Sequence, residues 1–217
     1  MKKLLFITML LGALYSQCNE SNWQEYYPNM QYCNLEWANL QGADLTEAQL
    51  KYSNLYHTNL SGANLQGADL FMSDLRGANL EEANLNNTWL SGTNLGFADL
   101  EFADLTDANL EGANLSHANL TDANLQGAAL TEANLTHADL SGADLANTYC
   151  VGAYFVRANL EGTIFDGANL WRAYFDENED NYDDASYDAG ATSGDLNLDG
   201  ADDVLDVVIL VDNILNP

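Results

Sequence analysis

The stretch Ala38–Leu50, "ANLQGADLTEAQL", sets leucine at 40, 45 and 50 with alanine two residues before each. The same beat runs outward in both directions. From Cys33 to Glu177 the chain divides into 29 blocks of five without an insertion. The central residue is Leu in every block from Leu35 to Leu145, then Cys150, Phe155, Leu160, Phe165, Leu170 and Phe175. Two residues earlier stands a small one, usually Ala, otherwise Ser, Thr or Cys. Asn or Asp mostly lies between them, and Gly often comes two after, as at Gly42, Gly62 and Gly67.

A period of five fits neither regular element. On an α-helix the leucines would wind around the axis rather than form a stripe. On a flat strand an odd period throws alternate leucines to opposite faces. The pattern works if the chain turns a corner inside every block and keeps each leucine inside, with Gly and Asn supplying backbone freedom at the corners. These blocks resemble the pentapeptide-repeat family. The resemblance implies an all-β solenoid: a right-handed quadrilateral β-helix of four blocks per coil, with the central and the small residue facing in. Twenty-nine blocks then make about seven coils, a rod roughly 35 Å long at about 4.8 Å per coil. Such a solenoid needs its ends covered. Met30 keeps the spacing one step before Leu35, and "NWQEYYP", with Trp23, Tyr26 and Tyr27, reads as a cap over the first coil. Cys150 falls on an inward position, where it reads as a buried thiol acting as a small hydrophobe.

Charge excludes several partners. The 217 residues carry 6 Lys and Arg against 33 Asp and Glu, a formal net charge of −27. Direct nucleic-acid binding runs on basic contacts to phosphates and is excluded on that ground. An anionic membrane surface is disfavoured by the same sign. Disorder does not fit, because 47% of the residues are hydrophobic and regularly spaced.

The N-terminus, "MKKLLFITMLLGALYSQC", has two lysines, an apolar run from Leu4 to Leu14 and a small residue at Ser16. It has the form of a secretory signal peptide, and the apolar run is too short to span a bilayer. The expected location is therefore extracellular or at the cell surface. Periplasmic retention and a lipid anchor on Cys18 are the alternatives. In an oxidising compartment Cys18 and Cys33 are natural disulfide partners that would pin the first residues to the repeats; two free thiols are the other possibility.

No catalytic constellation emerges by spacing, so an enzyme is not expected. His57, His117 and His137 all end a block and are separated by multiples of 20. Under four-block coils they share one column. A surface stack is the expected reading, since zinc wants three or four ligands. Residues 33–177 hold 20 acidic and 4 basic side chains, and the resemblance implies an alternative function, because the family contains members that mimic the charge pattern of B-DNA and so occupy DNA-binding enzymes. Asp before the central Leu (44, 69, 74, 99, 104, 139 and 144) never recurs 20 residues away.

After Glu177 the beat stops. Residues 178–194 are acidic, small and without apolar period, and read as a linker. Then "DLNLDGADDVLD" has EF-hand spacing. Asp195, Asn197, Asp199, Ala201 through its carbonyl, Asp203 and Asp206 occupy positions 1, 3, 5, 7, 9 and 12, with Gly200 at the sharp turn. This predicts one Ca²⁺ site. "GDLNLDGADDVLDVVILVDNIL" resembles one dockerin type I repeat, which implies calcium binding and, in dockerins proper, docking to a cohesin. Dockerins pair two repeats, whereas the upstream "DENEDNYDDASY" has Asn181 in place of Gly and Tyr187 at the closing ligand. Calcium is thus expected more firmly than cohesin docking. Val204 to Leu215 is nearly all apolar and reads as a helix that packs on the last coil, dimerises or meets a protein partner.

The chain therefore reads as a signal peptide (1–16), an N-terminal cap (17–32), the β-helix (33–177), the linker and a small C-terminal calcium loop-helix module (195–217). The expected function is that of a secreted, non-catalytic structural or interaction protein. Calorimetric titration with Ca²⁺, beside an Asp199→Ala, Asp206→Ala double variant, checks the loop. Binding at around 10⁻⁴ to 10⁻³ M, lost in the variant, is expected; a wild type that binds nothing would reduce the tail to an acidic cap.

Overall fold

The computed structural model describes residues 18–175. The signal-like segment, the linker and the calcium loop with its following segment lie outside those residues. Four blocks of five make one coil, so each residue stands over its counterpart 20 positions earlier. Parallel bridges join Asn34 to Asn54, Asn39 to Asn59, Asp44 to Asn64 and Gln49 to Asp69, and the same step continues to Tyr154 and Tyr174. We name the four faces by their inward residues: the first carries Leu35, the second Leu40, the third Leu45 and the fourth Leu50. Two residues form the corner after each face.

In a block with Asn or Asp before the central residue every backbone N–H can find an acceptor, as the block around Leu115 shows. The Ala113 N–H closes a turn onto the Leu110 carbonyl at 2.9 Å. Asn114 donates to Thr93 O in the coil before, and Leu115 and His117 donate to Asn134 O and Thr136 O in the coil after. The Ser116 N–H, which no strand can reach, is taken by the side-chain Oδ1 of Asn114 at 3.1 Å. All 22 Asn and Asp residues that precede a central residue between 34 and 169 accept from the N–H two positions on in this way. Asn therefore works on the flat of the face more than at the corner, where the sequence alone suggested it would lend flexibility.

The corner itself is a type II turn, which needs a positive φ at its third residue. Every such residue from Tyr32 to Arg172 has one, and 18 of the 29 are not glycine. None is Val, Ile or Thr, the types whose branched Cβ tolerates that region least. Several rings held there stack on their counterparts one coil away, as Tyr32 on Tyr52 and Trp37 on His57 do.

Inside, the leucines from Leu35 to Leu145 are buried, and so are nearly all the small residues two before them. Buried hydroxyls at this small position are satisfied: Thr58 donates to Leu35 O at 2.6 Å and Thr88 to Leu65 O at 2.9 Å. Toward the C-terminal end phenylalanines widen the core, with Phe155 stacked on Phe175 at 5.1 Å and meeting Phe165 edge-on. Cys150 is fully buried, and burial pushes its thiol up to about 12.

The N-terminal end is closed by residues 18–32. A short helix, α1 (Trp23–Tyr26), precedes Met30, which is fully buried, and both Trp23 and Tyr26 pack on the core. Tyr27 does not shield the coil as the sequence suggested: it is exposed and donates its hydroxyl to Thr46 O. Cys18 and Cys33 are disulfide-bonded with Cα atoms 4.8 Å apart, and Asn34 N–H donates to Cys18 O.

Two tests follow from this packing. Asn114 caps Ser116, donates to Asn94 and accepts from Asn134. Asn114→Ala should lower unfolding free energy by about 1–3 kcal/mol. Asn114→Asp, which keeps the acceptor and loses the donor, should fall between it and wild type in denaturant melts. The Cys150 thiol should resist thiol reagents in the native protein and react on unfolding. Its contribution to stability is complete below the ordinary thiol value of 9.0 and lost as pH rises toward about 12.

Candidate functional site

The fold spends its inward positions on packing and its face positions on turn caps, so chemistry is left to the corners and the outward rungs. No helix among the described residues is long and apolar enough to cross a membrane. Nor do those residues gather three or more His, Cys, Asp or Glu into a group that could hold a metal.

The three histidines do share a corner column, between the first and second faces. His117 and His137 stack at 4.8 Å and 11°, with Phe97 stacked below His117 at 4.7 Å. Rings stacked this way hold matching nitrogens about a coil spacing apart, beyond the roughly 4.2 Å that two Zn–N bonds can span. His57 lies between Trp37, stacked at 4.3 Å, and Gly77, whose carbonyl is 3.1 Å from its Nδ1. A Cβ on Gly77 would strike the imidazole, so the glycine makes the ring's seat.

Charge is sorted by side. Between residues 33 and 175 there are 18 acidic and 4 basic side chains. Thirteen of the acids lie on the second and third faces and on the corner after each of these faces, with no basic residue among them. The corner between the second and third faces alone holds Glu81, Glu82, Glu101, Asp122 and Glu161. The remaining five acids and all four bases (Lys51, Arg76, Arg157 and Arg172) lie on the first and fourth faces and their corners. That half is nearly neutral. Its two N-terminal bases are paired, Lys51 Nζ with Asp69 at 2.8 Å and Arg76 with Asp74 at 2.6 Å. The hydrogen bond from Arg76 holds the Asp74 carboxyl below its ordinary value, and the one to Asp69 raises Lys51.

The same near-neutral half carries nine of the twelve exposed large apolar side chains among the described residues. Tyr32, Tyr52, Met72 and Trp171 stand on one corner of the first face, and Trp37 and Phe97 on the other. Tyr154 lies on the first face; Trp89 and Tyr149 lie on the fourth. The rod is thus two-sided: one half acidic, the other aromatic and close to neutral. Sequence reading missed this because it followed the Asp column alone; charges and rings sorted at a period of 20 would have shown it.

The Asp residues on the faces serve as acceptors in the rung bonds. Rung bonds run from the upper amide down, as from Asn119 Nδ2 to Asp99 Oδ1 and from Asn159 to Asp139, both at 3.0 Å. An Asp can accept from above but has no proton to give below. Asp over Asp would set two carboxylates a coil apart with no donor between them. Of the residues read as binding sites from sequence, Cys18 and Cys33 are joined as described, whereas Asp195, Asn197, Asp199, Ala201, Asp203 and Asp206 lie outside the described residues.

No curated protein matches the chain. Solved structures do. HetL from the cyanobacterium Nostoc sp. strain PCC 7120, a pentapeptide repeat protein involved in heterocyst differentiation regulation, is 33% identical over 67% of this chain and 77% of its own, with a TM-score of 0.31. A pentapeptide repeat protein of the Arabidopsis thaliana thylakoid lumen is 29% identical over 62% of this chain and 90% of its own, TM-score 0.44. QnrB1, a plasmid-mediated fluoroquinolone resistance protein, is 21% identical over 71% and 83%, TM-score 0.45. The family described as Pentapeptide repeats matches in eight copies, over residues 29–67, 58–96, 98–136, 133–172 and 153–178. Its members fold as right-handed quadrilateral β-helices and are generally non-enzymatic. Built from 29 blocks of five, with the same turn at every corner from Tyr32 to Arg172, this chain belongs to the pentapeptide-repeat family.

Proposed function

We propose that this protein is an exported, non-catalytic rod that holds a partner along its side and is attached through a calcium-ordered C-terminal segment. The observation that carries the reading is the division of the rod into an acidic half and a near-neutral aromatic half. Large exposed apolar groups gathered on one side mark an interaction surface, because a monomeric soluble protein gains nothing by keeping them in water. Acids on the other side keep the rod soluble and limit self-association. Export is supported by the signal-like N-terminus and by the disulfide at the start of the coils, a bond that persists in oxidising compartments. Asp195, Asn197, Asp199, Ala201, Asp203 and Asp206 would hold Ca²⁺ and present Val204 to Leu215 for attachment to a protein partner or a second copy.

A second reading rests on the acidic half itself. Thirteen acids without a base offer a surface for a basic, DNA-binding protein, so that the rod would act by charge mimicry. Location separates the two. Intact-mass and N-terminal analysis of protein recovered from fractionated cells should find a chain beginning near Gln17 or Cys18, outside the cytoplasm, with one disulfide and one free thiol. A chain retaining Met1 in the cytoplasm would overturn export and leave the mimicry reading in its place.

A further inference from the structure

The geometry points to a carbohydrate-binding platform on the first face of the first three coils, a reading that rests on the rod being exported and binding through its side. Here both corners of one face are walled by rings over the first two coils, and the third adds Phe71 on one side and Arg76 on the other. On one side Tyr32 stacks on Tyr52 at 5.3 Å, and Tyr52 meets Phe71 edge-on at 5.7 Å. On the other, Trp37 stacks on His57, and Tyr56 sets its edge against both. Farther along, Ser91 with Gly92 and Glu111 with Gly112 replace the first wall, so the platform ends after about three coils.

The floor between the walls is the rung column of the first face. Asn54 donates from Nδ2 to Asn34 Oδ1 at 3.0 Å and reaches Glu36 at 3.3 Å. The exposed Asn34 amide keeps its own two N–H donors unengaged among the described residues. Arg76 is held by Asp74 and lies over the Tyr56 ring at 5.3 Å. The floor is thus two amide rungs, Asn34 and Asn54, followed at the coil spacing by the Asp74–Arg76 pair, between two strips of ring.

A ligand that fits must offer apolar C–H faces to the rings and closely spaced hydroxyls to the amides, and it must be nearly uncharged. Neutral polysaccharide has all three properties, with rings repeating along one axis as the rungs do. A nucleic acid or acidic polymer would meet a chain of net charge −27. A basic peptide would find its counter-charges on the opposite half. An apolar helix would have to bury the amide floor without satisfying it. The rings are already fixed against one another, so binding would freeze little that is free: Trp37 is 64% exposed and Tyr32 52%, yet both are stacked.

The test is affinity electrophoresis of the full chain in native gels containing one soluble neutral polysaccharide each: hydroxyethyl cellulose, mixed-linkage β-glucan, xylan and galactomannan, with polygalacturonate as the acidic arm. Retardation by at least one neutral polymer and none by polygalacturonate is expected. Trp37→Ala with Tyr52→Ala should weaken the retardation at least tenfold, Tyr32→Ala alone should weaken it several-fold, and Phe102→Ala, on the acidic corner, should leave it unchanged. Circular dichroism of each variant shows that the coils remain. No retardation across the neutral panel, retardation by polygalacturonate alone, or equal retardation of the double variant would overturn the platform. The assay reads binding and not processing of the N-terminus, so the platform and the export reading fail separately.

Discussion

Most blocks of the structure are closed by one hydrogen bond that the strands cannot make. A chain that turns a corner every five residues strands one N–H per block between two turns, out of reach of the neighbouring coil. A side-chain oxygen on the residue before the central leucine accepts it, and the short reach of Asn or Asp suits that distance. Where Trp89, Ala129 or Ile164 stands in that place, the donor is left to water at the corner; where Asn or Asp stands there, the bond fixes the turn, a net gain of about 0.5–1.5 kcal/mol each. The same bond recurs 22 times along the coils, so even a small gain at each is repeated down the rod.

With the interior given to leucine and the faces to turn caps, the corners become the variable part of the molecule. Their left-handed residue costs backbone energy in any type but glycine. Most of these positions nonetheless carry a side chain, and the bulkiest stack on one another coil by coil. Stacking between coils spaced like strands recovers part of that cost. It also sets rings and imidazoles in rigid columns, where a partner can meet them without an ordering penalty. A His column of this kind is a surface ladder. Its parallel rings are wrong for sharing a metal.

The sorting of charge by side follows from the same regularity. Because every fourth block returns to the same face, a preference repeated at a period of 20 becomes a continuous stripe. Acids gathered on the second and third faces and rings on the first and fourth need no long-range packing to bring them together. The four-block coil does so. Salt bridges on the near-neutral side, Lys51 with Asp69 and Arg76 with Asp74, are exposed and worth little to stability. Their effect is to keep that side close to neutral.

The sequence by itself determined the coil. Leucine at 35, 40, 45 and onward, with alanine two before, admits no helix and no flat strand, since each would scatter the leucines. The inward place of Cys150 was fixed by the same count. Other features needed the tertiary structure, because they lie between coils and not within a block. That Asn on the face caps an N–H rather than easing a corner, that Tyr27 turns outward to Thr46, and that Asp99 and Asp139 accept from the Asn one coil above all depend on which atom one coil offers the next. The first face's two walls are of this kind. Tyr52 and Trp37 are 15 residues apart with nothing in the sequence to link them, and they flank one strip of surface because the chain returns on itself every 20 residues.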